Sequence, residues 1–169
     1  IAILNDPSYR EDGNREKQLQ ALWVLLLQSF DFHEFSKRVL SSHWKRFSEQ
    51  EQKDFVDVFS KFLGGFYIRR VQDSYTRERV FYKKQERLSD SKAVIHLEVL
   101  RNELRVPVKV KMTNKSGSWK VYDLVFLGIS GVSNYRAQFR VLLKKQSPAQ
   151  VIANIREKME RQRVKKGKE

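Results

Sequence analysis

A serine flanked by glycines, in Gly128-Ile-Ser130-Gly131, is the residue of this sequence that most invites a catalytic interpretation. An apolar run precedes it and a helix-like stretch follows it. A hydrolase nucleophile elbow needs Gly-x-Ser-x-Gly at a strand-to-helix turn, but Val132 stands where the second glycine belongs. The corner therefore indicates that Ser130 or Ser133 caps a helix through Tyr135 and Phe139, rather than a nucleophile.

Other groups capable of chemistry are scattered along the chain. His33 and His43 lie ten residues apart and His96 lies far from both, which is not the spacing of a metal site. Asp54 and Asp57 are one helical turn apart near a helix start, where carboxylates favour the helix dipole. Without cysteine there are no disulfides and no thiolate ligands. We expect no enzyme, no metal and no cofactor.

The charge of the chain points to anionic partners. The 169 residues are 40% hydrophobic and carry a net charge of +14, with a pI near 10.1. A positive charge of this size favours binding to nucleic acid, to an anionic lipid surface or to an acidic protein. The segment 75–84 mixes basic and aromatic residues as nucleic-acid sites do, but a solvated sheet edge explains it equally well. Ala21–Leu27, the longest strongly apolar run, is far shorter than the roughly 20 residues of a membrane span.

Helical spacing of apolar residues dominates both ends of the chain. Steps of three and four predict a helix over about 14–30 and a short one capped by Asp31. Ser48–Glu51 has the capping-box pattern, and Gly64–Gly65 is expected to weaken or bend the helix that follows near its end. Ser147–Gln150, with proline at the first helical position, predicts the last helix.

The middle of the chain alternates with a period of two, which predicts strands. The expected strands are Arg79–Arg87, Ala93–Leu100, Leu104–Met112 and Trp119–Phe126. Pro107 cannot donate to a ladder, so its strand lies at an edge or its nitrogen faces an unbonded position. The predicted fold is α+β, a four-stranded antiparallel sheet packed against a helical layer. We predict one domain over residues 1–162 and a charged C-terminal tail over 163–169.

The stretch from Trp119 to Phe139, W-K-V-Y-D-L-V-F-L-G-I-S-G-V-S-N-Y-R-A-Q-F, resembles the signature of a known family. It is similar to the MlaC-like family, the toluene-tolerance auxiliary components of ABC-type phospholipid transport. The positions that match are Asp123, Gly128, Ser130, Asn134, Tyr135, Arg136, Gln138 and Phe139. The helical half, including Phe30–Phe32, Trp44 and Ser48–Gln52, resembles the same family, so the likeness extends over roughly residues 15–160.

The resemblance implies a periplasmic carrier without a catalytic step. Such a protein holds a diacyl phospholipid, with its tails in an apolar pocket. It moves that lipid between an outer-membrane lipoprotein complex and an inner-membrane ABC transporter complex with a membrane-anchored substrate-binding subunit, which maintains outer-membrane lipid asymmetry. It also implies a signal peptide already removed from a chain that here begins at Ile1. A related branch of the family is associated with hopanoids, so another lipid is an alternative cargo.

The large apolar residues of both halves are the candidates for lipid contact under this resemblance. They are Phe35, Val39, Trp44, Phe55, Phe59, Phe62, Phe66, Val106, Val108, Val110, Tyr122, Leu124, Tyr135 and Phe139. Arg105, Lys109, Lys111 and Arg136 are the candidates for contact with a lipid head group or a protein partner. Periodicity alone favours a filled core for the apolar set, whereas the resemblance favours a pocket wall.

Two further interpretations remain open at this stage. A basic nucleic-acid-binding module would account for the charge, although the resemblance leads us to expect no nucleic-acid partner. An enzyme with an NTF2-like cone, of the ketosteroid-isomerase type, would need an ionisable group inside its pocket. His96 and Asp123 are the residues to examine for that role.

Overall fold

The computed structural model describes residues 1–9 and 13–166. Its α-helices are α1 (Ala2–Asn5), α2 (Arg15–Ser29), α3 (Phe32–Leu40), α4 (Glu49–Ser74), α5 (Gly131–Leu142) and α6 (Pro148–Lys166). Short 3₁₀ helices span Pro7–Tyr9 and Ser41–Arg46. Across these described ranges, no helix is both long enough and apolar enough to cross a bilayer.

The chain divides into two compact units. Unit 1 comprises the described part of Ile1–Asp31 together with Phe66–Gly131, and unit 2 comprises Phe32–Gly65 with the described part of Val132–Glu169. Unit 1 holds the β-sheet and unit 2 holds helices. The single domain predicted for residues 1–162 stays a prediction. The predicted tail begins inside α6, whose backbone is helical to Lys166, and its residues 167–169 lie outside the described range.

Within the described residues, the strands form one antiparallel sheet in the order β1-β2-β3-β4-β5. The strands are β1 (Arg79–Ser89), β2 (Lys92–Arg101), β3 (Leu104–Lys115), β4 (Ser118–Phe126) and β5 (Ile129–Ser130). The prediction of four strands was wrong, because the sheet has a fifth strand, β5, which pairs with Val125 and Phe126 of β4. A two-residue strand is too short to show alternation, so the sequence predicts only a corner there.

Tight two-residue turns join the later strands. Asn102–Glu103, Ser116–Gly117 and Leu127–Gly128 all have positive φ, from 46° to 84°. Two successive residues of positive φ match the right-handed twist of a hairpin. The third turn connects β4 to β5 and places Ser130 opposite Val125 of β4.

Pro107 lies in an internal strand, because β3 pairs with β2 on one side and β4 on the other. The last β3–β4 pair is Val108 with Phe126, so Pro107 stands just beyond it. Its carbonyl accepts a 3.4 Å hydrogen bond from the Leu127 amide. Of the two alternatives given for Pro107, the unbonded nitrogen position applies and the edge strand does not.

Strand β1 lies at one edge of the sheet. Its pairing with β2 is irregular between Tyr82 and Lys84 and again between Arg87 and Ser89. Basic side chains follow one another along this edge, and most of the strand is exposed. The strand therefore departs from a flat ladder at two points.

The capping boxes predicted for α4 and α6 are present. The Ser48 amide donates to Glu51 Oε2 at 2.8 Å, while Ser48 Oγ accepts from the Glu51 amide at 3.2 Å. Ser147 and Gln150 exchange the same two bonds at 2.8 and 3.3 Å. Helix α4 passes through Gly64–Gly65 and continues to Ser74, so these glycines are interior and not near its end.

Candidate functional site

An apolar face covers one side of the sheet in unit 1. The register between the strands places apolar side chains opposite one another, as in Leu97 with Val108 and Val110 with Leu124. We call this set the apolar sheet face. Its members are Val80, Tyr82, Ile95, Leu97, Val99, Val106, Val108, Val110, Met112, Leu124 and Phe126.

This face is not buried as a core would be. Tyr82 is 64% exposed and Phe126 is 52% exposed, and Ile95 and Val108 are only half-buried. The same unit exposes further large apolar side chains on its helices, namely Val24, Leu25, Leu27, Phe66, Tyr67 and Val71. Clusters of exposed apolar side chains are typical of ligand-binding grooves and interaction sites.

The opposite side of the sheet is ionic, and we call it the ionic sheet face. Glu98 accepts a hydrogen bond from Arg105 and lies 3.6 Å from the Lys83 ammonium. Glu86 Oε2 lies 3.3 Å from His96 Nε2 and also pairs with Lys84. The hydrogen bond from Arg105 lowers the pKa of Glu98 below its usual value, and that from Lys84 lowers the pKa of Glu86.

A buried carboxylate stabilises the end of the sheet. Asp123 is 1% exposed, and its Oδ2 accepts a 2.7 Å hydrogen bond from Ser130 Oγ. The same oxygen lies 3.0 Å from the Lys111 ammonium. Ser130 directly precedes α5, and capping of that helix by Ser130 or Ser133 stays a prediction. Asp123 therefore holds both Ser130 of β5 and Lys111 of β3.

An aromatic cluster fills unit 2. Phe59 lies with its ring centroid 5.8 Å from Phe35, 5.1 Å from Phe55 and 5.2 Å from Phe139. Tyr135 packs edge-on against Phe59 at 5.1 Å. Phe55 is 0% exposed and Phe59 is 1% exposed. These rings find their contacts in one another, as core side chains do.

The predicted lipid-contact residues thus fall into two groups. Val106, Val108, Val110 and Leu124 belong to the apolar sheet face, Phe66 is exposed on α4, and Tyr122 is buried in β4. In unit 2, Phe35, Val39, Trp44, Phe55, Phe59 and Phe139 are buried, while Phe62 and Tyr135 are half-buried. Contact of either group with lipid, and an enclosed pocket, stay predictions.

The four predicted head-group cations lie in different places. Arg105, Lys109 and Lys111 are on the ionic sheet face, opposite the apolar one. Arg136 is on α5 in unit 2, where its Nε donates a 2.9 Å hydrogen bond to the Arg38 carbonyl. The three sheet cations therefore suit contact with a partner surface better than contact with a lipid lying on the apolar face.

The sequence-based selection missed part of the apolar sheet face. Seven of its members are outside the predicted lipid-contact set, although alternation predicts strands in their segments: Val80, Tyr82, Ile95, Leu97, Val99, Met112 and Phe126. The missing signal was the register, because only the pairing of Phe126 with Val108 shows which face Phe126 shares.

Histidines that the sequence offers for a metal site or for catalysis have other contacts in the structure. His33 packs edge-on against Trp44 at 5.3 Å, and His96 sits beside Glu86 on the ionic sheet face. Over residues 1–9 and 13–166, no group of three or more histidine, aspartate or glutamate side chains could hold a metal ion. In the segment 75–84, Lys83 and Lys84 both pair with glutamates.

Comparison with known proteins identifies the family. The family model described as "MlaC protein" matches residues 1–157. The chain belongs to the MlaC family. It is 24% identical over 125 residues to the Haemophilus influenzae intermembrane phospholipid transport system binding protein MlaC. That match covers 71% of this chain and 58% of the relative, so the chain spans less than two thirds of that protein's length.

A solved structure shares the fold. The phospholipid-binding protein from Ralstonia solanacearum, solved in complex with a phospholipid, superposes with a TM-score of 0.76 at 22% identity. The superposition covers 92% of this chain and 87% of that one. The family is the one that the resemblance of Trp119–Phe139 predicted, and the α+β class is the one that the periodicity predicted.

Proposed function

We propose that this chain binds a diacyl phospholipid and carries it through the periplasm without a chemical step. The observation behind this proposal is the apolar sheet face, whose side chains are all exposed or half-buried in this member of the MlaC family. The relative named for intermembrane phospholipid transport and the similar fold solved with a phospholipid support the same cargo.

The energetics of transfer explain why such a face is required. A diacyl lipid has on the order of 30 methylenes, each worth about 0.8 kcal/mol when removed from water. Moving the lipid through water alone is therefore unfavourable by roughly 20 kcal/mol or more. A carrier must supply apolar contact over both tails, which side chains such as Val108, Leu124 and Phe126 can offer.

The wider role is part of the same proposal. The donor and acceptor would be an outer-membrane lipoprotein complex and an inner-membrane ABC transporter complex with its membrane-anchored substrate-binding subunit. Transfer between them would maintain outer-membrane lipid asymmetry. The ionic sheet face, with Arg105, Lys109 and Lys111, is the surface we assign to those partners. Because exposed charges speed association more than they tighten it, such docking can stay reversible.

Lipid extraction and mass spectrometry test the cargo. Protein purified from a bacterial host without detergent should yield close to one phospholipid per chain. Leu124→Asp combined with Phe126→Asp places two charges on the apolar sheet face and should remove most of that lipid. Val125→Asp is the matched control, because it lies between them on the same strand and faces the ionic side.

Three results decide the proposal. Equal lipid loading of the double variant and the control would show that the apolar sheet face does not hold the cargo. Protein free of any lipid would contradict carriage altogether. A hopanoid or another lipid in place of phospholipid would keep the carrier and change its cargo.

A further inference from the structure

Two segments of unit 2 carry basic residues and no acidic ones. Residues 37–46 and 133–147 contain no aspartate or glutamate. Their basic residues are Lys37, Arg38, Lys45, Arg46, Arg136, Arg140, Lys144 and Lys145. In a chain with 20 acidic residues, an acid-free stretch on two separate segments concentrates positive charge locally.

Hydrogen bonds hold these two segments side by side. Arg136 Nε, in the middle of α5, donates to the Arg38 carbonyl at 2.9 Å. Arg46 donates to the Leu143 carbonyl at 2.9 Å, just after α5 ends. The end of α3 and the 3₁₀ helix therefore run along α5, and their cations form one surface, which we call the basic α3–α5 surface.

Most cations of this surface are not neutralised. Within the described part of the chain, Lys37, Lys45, Arg140, Lys144 and Lys145 are exposed and have no carboxylate within ion-pair distance. Arg38 pairs with Glu34 at 2.8 Å, at the margin of the surface. On the ionic sheet face, in contrast, Lys83 and Arg105 share Glu98, Lys84 pairs with Glu86, and Lys111 pairs with Asp123.

We propose that the basic α3–α5 surface binds the anionic head groups of a bilayer surface. A cluster of four to eight lysines and arginines is the size that attracts anionic lipid. A tight protein interface has an apolar or aromatic centre, from which lysine is depleted. Val141, at 58% exposure, is the sole large apolar side chain exposed in the described part of unit 2, so charge alone is available for binding.

This association is separate from lipid carriage. The surface contains no member of the apolar sheet face, and its charges would act on the head groups of a membrane without removing a lipid from it. It would keep the chain close to an anionic leaflet, and its strength would depend on ionic strength because exposed charges are screened by salt. Failure of this proposal leaves the cargo experiment unaffected.

Vesicle co-sedimentation of the full chain tests the proposal. Vesicles of phosphatidylcholine containing phosphatidylglycerol should sediment the protein, and pure phosphatidylcholine vesicles should not. Raising the ionic strength from about 0.01 M to about 1 M shortens the Debye length from about 30 Å to about 3 Å and should release it. Equal binding to both vesicles, or binding that survives high salt, would overturn the assignment.

Matched charge reversals locate the binding surface. Arg140→Glu, Lys144→Glu and Lys145→Glu together should weaken binding at least tenfold. Lys53→Glu, Arg77→Glu and Lys92→Glu change the net charge equally at exposed positions elsewhere and should weaken it much less. Should the first triple fold poorly by circular dichroism, Lys144→Gln with Lys145→Gln replaces it. Equal loss in both triples, or binding to polyglutamate but not to anionic vesicles, would contradict the proposal.

Discussion

Ser130 Oγ donates a 2.7 Å hydrogen bond to Asp123 Oδ2, and this bond links the short strand β5 to β4 at the point where α5 begins. The glycine-flanked serine is thus a donor to a buried carboxylate rather than a nucleophile beside a base. The signature of the MlaC family around it marks a structural corner.

The Asp123–Ser130 bond should contribute measurably to stability. Hydrogen bonds to charged groups contribute about 1.5–3 kcal/mol, so Ser130→Ala should lower the free energy of unfolding by about that amount. Asp123→Ala should cost more, because it also removes the partner of Lys111. Urea titration measures both, and Ser118→Ala, at an exposed hairpin position, is the control. A Ser130→Ala midpoint no lower than that of Ser118→Ala would contradict the argument.

The aromatic cluster of unit 2 should behave as a core. Phe59 touches Phe35, Phe55 and Phe139 and is 1% exposed, so Phe59→Ala should cost about 3–5 kcal/mol. Phe66→Ala, on the same helix but 39% exposed, should cost about 1 kcal/mol. Guanidinium unfolding of the two variants tests the difference. Similar midpoints would mean that the cluster adapts to the loss of a ring.

The apolar sheet face should tolerate polar substitution without unfolding. Tyr82 is 64% exposed, so Tyr82→Ser should change the free energy of unfolding by less than about 1 kcal/mol. Under the proposed function, the same change should lower the amount of co-purified phospholipid. Thermal melting and lipid phosphate assays on the same sample provide both readings. A large loss of stability with normal lipid content would assign Tyr82 to the core instead.

Acid should weaken the ionic sheet face. Because Arg105 lowers the folded-state pKa of Glu98, the carboxylate adds stability above its unfolded pKa, and that stability is lost as pH falls through the folded value. The loss should therefore occur below about pH 4.5. Glu98→Gln should flatten this part of the stability curve relative to Glu103→Gln, a turn residue. If the free energy of unfolding depends on pH identically in the two variants, the Arg105–Glu98 pair contributes nothing to stability.

The sequence predicts the elements of this fold better than their partners. Apolar alternation identified β2, β3 and β4, and both capping boxes marked real helix starts. Alternation also placed Lys109 and Val108 on opposite faces, because successive side chains of a strand must alternate. It could not reveal β5, whose two residues have no period, nor that Phe126 shares a face with Val108, because register depends on the turns between strands.

The same limit applies to the apolar residues of the helices. Phe59 and Phe66 lie on one helix and looked equivalent as members of one apolar side. In the structure one is enclosed by four other rings and the other is exposed. Periodicity indicates which side of a helix is apolar, but only the packing of the chain shows which residues on that side are buried.

The irregular pairing of β1 has a consequence for the protein in solution. A chain that leaves a broad apolar face uncovered risks stacking sheet edges with other copies into insoluble aggregates. The outermost strand, β1, has two register shifts and several basic side chains. Both features disfavour the pairing of this edge with the edge of another copy. Deleting Lys83, which lies at the first register shift, should lower the concentration at which the protein precipitates.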